Sequence, residues 1–223
     1  MKAPRVLEDQ VSIVLIGQFN PAIFQPAWLA AKGLIRESEA SSATIEVIHP
    51  EIAQFRAGWL HLSVTANRFV ASTSDPACAV PLRDLVVGIF GLLAHTPTQR
   101  MGLNRAMHFD LVDDAHWHAL GHLLAPKAPW HAGLASPGMR SLVMEGARND
   151  ALPGRRFFRV EPSLRFPHAA LIDINNDYEL PATTKPLEAT AYFTDHIRDD
   201  WTNTMLAAMA DAGALLAAVP EEP

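Results

Sequence analysis

The chain has 223 residues, 49% of them hydrophobic and 19% charged, with a formal net charge of −6 and a pI near 5.9. That is long enough for one sizeable core and too apolar for a disordered chain. The acidic balance excludes a general attraction to nucleic acid or anionic membrane, and the single cysteine, Cys78, excludes an internal disulfide and fits a reducing compartment.

The opening MKAPRVLEDQ is charged and polar where a signal peptide needs an apolar run. The longest apolar runs, VSIVLIG and LVVGIFGLLA, fall short of the ~20 residues that span a bilayer. The expectation is a cytoplasmic protein with no membrane contact.

In chain order, residues 11–19 carry Val, Ile and Leu almost without interruption, as a central strand does. Asn20-Pro21 stops that strand, and residues 21–33 read as a short helical piece interrupted by Pro26 and ended by Gly33. RESEASSA, residues 36–43, reads as a polar connector. Residues 44–55 are expected as a strand with an edge or bulge at Pro50, and residues 59–73 as a long strand whose alternation slips at Ala66-Asn67, as a bulge or tight turn would make it. Leu82, Leu85, Val86, Ile89, Phe90 and Leu93 make a helical stripe over residues 80–95.

The second half repeats the plan. Residues 101–112 read as a strand, and Asp113-Asp114 opens a helix reaching residue 124. After the Pro/Gly-rich connector APKAPWHAGLASPG, a strand is expected at 139–148. Residues 155–178 hold one or two strands broken near Pro162 and Pro167, with Asn175-Asn176 as a turn signal. Residues 186–219 form a long amphipathic helix. The landmarks Phe19 and Phe109, Trp28 and Trp117, Gly33 and Gly121, and Gly58 and Gly146 recur at matching places. The predicted fold is therefore α+β: one domain of two pseudo-repeats, about 10–96 and 99–219. Each is a β-α-β-β-α unit, together making one curved antiparallel sheet or partial barrel with helices packed outside.

That element order resembles the tandem strand-helix-strand-strand modules of the GyrI-like effector-binding and SOUL haem-binding superfamily. The resemblance implies a small ligand in the groove between modules; the helices at 80–95 and 186–219 depart from the minimal plan. IVLIGQFNPAIFQPAWL, with GWLHLSVTANRFVAST and MRSLVMEG, is also similar to a set of uncharacterised conserved bacterial proteins, from which no activity carries over.

Polar chemistry is densest at His108, Asp110, His116, His118 and His122. His118 and His122, four apart on a helix, share a face and are the candidate metal pair, with His108 as a third ligand; the residue after His118 is Ala119, so no zincin pattern is present. The alternative is a set of surface histidines beside Trp117. Asp173, Asn175, Asn176 and Asp177 lack the spacing of a calcium loop and read as a hairpin turn. Arg148, Arg155, Arg156, Arg159 and Arg165, interleaved with Phe157, Phe158 and Phe166, make the one basic-aromatic stretch. On a strand, Arg155, Phe157 and Arg159 face one way and Arg156, Phe158 and Val160 the other. It is either a partner-binding surface or a solvated face with paired carboxylates. Cys78 precedes a helix, where a thiol is either activated or simply buried. Trp28, Trp59 and Trp117 either line a cavity between the two units or belong to the core.

No catalytic, nucleotide or cofactor pattern appears. The first functional expectation is a non-enzymatic interaction protein, a homodimer or the small subunit of a bacterial multi-gene system. The alternatives are a small-ligand sensor with an aromatic-lined cavity and a histidine-based metal enzyme. A protein partner or self-association is expected, and nucleic acid is not.

Overall fold

The structure is a computed structural model that describes residues 4–111, 113–150 and 152–220. Five α-helices and nine strands follow in the order β1 (Arg5–Gly17), α1 (Pro26–Ala31), α2 (Glu37–Ser41), β2 (Thr44–His49), β3 (Ile52–Ala57), β4 (Leu60–Thr65), β5 (Arg68–Thr73), α3 (Ala79–Leu92), β6 (Thr98–Asp110), α4 (Asp114–Leu124), β7 (Leu142–Ala147), β8 (Gly154–Pro162), β9 (Ala169–Glu179) and α5 (Ala189–Ala217). All nine strands join one antiparallel sheet in the order β2-β3-β4-β5-β1-β6-β9-β8-β7, which is not closed into a barrel. The two longest strands, β1 and β6, pair at its centre. After its long strand each half crosses to the outer edge and meanders back, so that β5 returns beside β1 and β9 beside β6; the free edges are β2 and β7. No helix among the described residues is long and apolar enough to cross a membrane.

Pleat parity explains which side is covered. Val11, Ile13 and Leu15 of β1 share one face with Phe69 and Ala71 of β5 and with Met101 and Leu103 of β6. Leu82, Val86, Ile89 and Phe90 of α3 and Phe193, Ile197 and Trp201 of α5 close that face into the larger core. Further along it, Met107, Phe109, Ile172 and Ile174 meet Leu120 of α4 and Ala208, Ala212 and Leu216 of α5 in a second cluster.

Local chemistry sets the element ends. Asn20 Oδ1 accepts from the backbone N–H of Ala22, and Pro21 opens the 3-10 turn after β1. Asp113 Oδ1 accepts from the His116 N–H and caps α4. Gly17 ends β1 so close to the next segment that a Cβ there would lie 2.2 Å from the Pro97 carbonyl oxygen, which only glycine tolerates.

Several expected elements are corrected. Residues 44–55 are not one strand: Pro50-Glu51 makes a two-residue turn joining β2 to β3. In residues 59–73 the slip at Ala66-Asn67 is a tight turn and not a bulge, and it divides the stretch into β4 and β5. RESEASSA is helical as α2, capped by the Glu39 carboxylate on the Arg36 N–H at 2.8 Å. Each unit therefore carries more strands than β-α-β-β-α. Among the landmarks, Gly58 sits in the β3–β4 turn at φ +58° while Gly146 lies within β7, so that pair is not equivalent. Asn175-Asn176 is no turn but the middle of β9, held between β6 and β8. The ends of two readings, Met1 to Ala3 of the opening segment and Val112 after β6, lie outside the described residues.

The other face carries no helix. Across it, Arg56, His61, Ser72, Ser12, Asn104, Asn175, Phe157 and Glu145 are successive cross-strand partners, a polar row spanning eight strands. His61 Nε2, Asn104 Oδ1 and Asn175 Oδ1 in this row are buried without a protein partner; such atoms are ordinarily served by ordered water. Burial pushes the imidazoles of His61 and His108, both on this face, below their ordinary value and favours their neutral forms.

Candidate functional site: a cavity beneath the fourth helix

The connector after α4 turns back over the sheet through a 3-10 turn, Ala128–Trp130, and encloses a cavity of about 440 Å³. Its floor is apolar: Leu120 from α4, Val160 from β8 and Ala170 from β9 are each 2% exposed and all line it. Trp117 and Met139 form the sides. The Trp117 indole N–H donates to the Ala169 carbonyl at 3.3 Å, which fixes the ring against β9. At the rim stand His118, His122 and His131, all exposed, and the half-buried Lys127. Lys127 Nζ lies 3.5 Å from His122 Nε2. Helical spacing puts His118 and His122 on one side of α4, and the His118 ring rests edge-on against Trp117 with centroids 5.0 Å apart.

No protein-family model matches the chain, and no curated protein matches it. The site is therefore interpreted from its own geometry.

Trp117, His118 and His122 are thus brought together, but the other candidates lie elsewhere. His108 sits on the helix-free face, its Nδ1 2.9 Å from Ser163 Oγ and its ring against Phe166. His116 is occupied with the Asp113 cap at 2.8 Å. Among the described residues no group of three or more His, Cys, Asp or Glu side chains is arranged to hold a metal ion. The Lys127 ammonium also faces the nitrogen lone pair that a metal would need on His122. Trp28 packs in the first core against Phe24. Trp59 donates its indole N–H to Glu39 at 3.1 Å and lines a different cleft, beside Cys78. The three tryptophans therefore do not share one cavity.

The arginine-rich strand alternates as its sequence implied. Arg155 pairs with Glu145, and Arg159 lies 2.8 Å from Asp173, both on the helix-free face. Arg156, on the other face, donates to Asn176 at 2.8 Å and to Asp211 at 2.7 Å. Arg165 pairs with Glu8. Each of these cations already has a carboxylate. The Cys78 thiol is raised by burial and by the neighbouring Asp75 carboxylate, 3.5 Å away, so its surroundings oppose the thiolate.

One constellation had no signal in the sequence. Arg148 lies 3.7 Å above the Tyr178 ring and donates from Nε to Asp150 at 2.9 Å. Beside that ring His196 bridges Asp200 at 2.7 Å and Tyr192 at 3.1 Å. These groups come from the β7–β8 loop, β9 and α5, and they satisfy one another. They latch α5 to the sheet. Lys127 and His131 were missed in the same way, since nothing in APKAPWHAGL marks them as facing a cavity.

Proposed function

We propose that the protein binds a small, largely apolar molecule in the cavity beneath α4. The observation that carries this is the combination of volume and depth profile. About 440 Å³ lies within the range of small-molecule sites, and three buried aliphatic side chains form the floor with polar groups confined to the rim. This keeps the ligand-sensor expectation but moves the site from between the two units into the second unit alone. Trp117 remains a lining residue, and Trp28 and Trp59 do not.

Gly121 offers a clean test. It lines the cavity, and a Cβ added there meets no heavy atom within 4 Å. A side chain at this position therefore leaves the helix unobstructed at Cβ, Gly121→Phe is expected to place its ring in the cavity, and losing a helical glycine offsets a small penalty. The neutral fluorophore 1-aminoanthracene is expected to bind the unaltered protein with enhanced emission. Its affinity is expected to fall at least about tenfold in Gly121→Phe while the melting temperature holds. Absent dye binding, or binding indifferent to Gly121→Phe, overturns the proposal.

A second reading, self-association, is favoured by the β7 edge. Its outer backbone groups have no strand partner, and Val143 and Met144 are 56% and 59% exposed on its two faces. The opposite edge, β2, is blunted by a register shift at Ile45/Val47 and by Glu46, which pairs with Arg56 at 2.9 Å. Two copies joined through β7 would extend one sheet across a dimer. Light scattering after size exclusion is expected to show a dimer that Met144→Lys converts to monomer. A monomer at every concentration tried excludes this reading.

A further inference from the structure

The polarity of the rim narrows the ligand class, an inference that rests on the cavity being a binding site. We infer that the ligand carries a single carboxylate on an apolar body, with its head at Lys127 and His122 and its body on Leu120, Val160 and Ala170. The basic groups at the rim differ from the strand arginines in what they are paired with. Arg155, Arg156, Arg159 and Arg165 are each joined to a carboxylate. Lys127, His118, His122 and His131 have no such partner among the described residues, and all four border the cavity. The one carboxylate in the lining, Glu161, is already taken: Ser141 Oγ donates to it at 2.8 Å and Arg159 lies 3.6 Å away.

With the Lys127 ammonium at the mouth and apolar side chains at depth, the arrangement is complementary to an amphiphilic anion. The charge count favours a monoanion. Only Lys127 is a permanent cation here, one point charge against a monoanion; the forked, bidentate contact that favours a phosphate dianion comes from arginine, and no arginine among the described residues lines the cavity. The N-terminal end of α4, the other natural anion seat, carries Asp113 and Asp114 and repels one.

The experiment compares decanoate, decanol and decyl phosphate, all below their aggregation thresholds, by displacement of 1-aminoanthracene. Unaltered protein, Lys127→Ala and Gly121→Phe are each titrated. Decanoate is expected to bind the unaltered protein at least about tenfold more tightly than decanol, and added salt should narrow the gap. Lys127→Ala is expected to abolish that preference, bringing decanoate to the affinity of decanol. Equal affinity for decanol, a preference that survives Lys127→Ala, or tighter binding of decyl phosphate overturns the carboxylate assignment. If the dye binds and no decyl compound displaces it, this inference falls while the cavity remains a site. If the dye itself does not bind, the proposed function falls first.

Discussion

Asp9→Ala is expected to destabilise the protein by about 3–5 kcal/mol, because it strands a buried guanidinium. Arg105 on β6 grips Asp9 on β1 with two hydrogen bonds, Nε at 3.0 Å and Nη2 at 2.6 Å, and both side chains are only 13–14% exposed. The remaining Nη1 donates to the Met205 carbonyl of α5 at 2.6 Å, so one side chain ties the two central strands to the long helix. Removing the carboxylate leaves the cation desolvated and half satisfied. Urea denaturation measures the loss. The paired replacement Asp9→Leu with Arg105→Met should recover most of it, since the charges are then removed together. A loss below about 1 kcal/mol for Asp9→Ala would mean that the pair behaves as a solvent-screened surface bridge.

Phe69→Ala is expected to cost a similar amount, about 3–5 kcal/mol, through cavity formation. Phe69 is fully buried on β5, and its ring centroid lies 5.0 Å from Phe90, 5.5 Å from Phe24 and 6.3 Å from Phe19. These four rings join β5, α3, the 3-10 turn and the segment leaving β1. They can relax little around a missing ring, because the partners are held by three different elements. Chemical denaturation with an unchanged slope would confirm a loss of native packing; a change of less than about 1 kcal/mol would show that the knot can collapse into the gap.

The same aromatic knot shows why the stretch VSIVLIGQFNPAIF was informative. A continuous apolar run, a helix-stopping Asn-Pro and aromatic residues just beyond are all local signals, and each has a local consequence in β1 and the turn that follows. Helical stripes were equally legible: Leu82, Leu85, Val86, Ile89 and Phe90 are buried in α3 as their spacing implies. Strand alternation also sorted Arg155 from Arg156 onto opposite faces. Turn propensity was less reliable in both directions. Pro50-Glu51 turned where a bulge was expected. Asn175-Asn176 stayed extended because Asn176 donates to the Leu103 carbonyl at 3.1 Å and both neighbouring strands saturate its backbone.

The candidate site was legible only in part. Trp117, His118 and His122 were visible because helical periodicity places them on one element. Their meaning was not, since it depends on what faces them. Val160 and Ala170 come from β8 and β9, and Lys127 and His131 from the connector.

By itself, then, the sequence determined the mixed α+β class, one sheet shared by both halves, the long strand that opens each half and the longer helices α3, α4 and α5, because all of these follow from short-range periodicity and backbone chemistry. Only the tertiary structure decided the strand order within that sheet, that the strand arginines are neutralised, and that basic groups without carboxylates border an apolar floor. Those features depend on which distant residues meet, and pairing between strands far apart in the chain is set by whole-sheet register and core packing, which no local window contains.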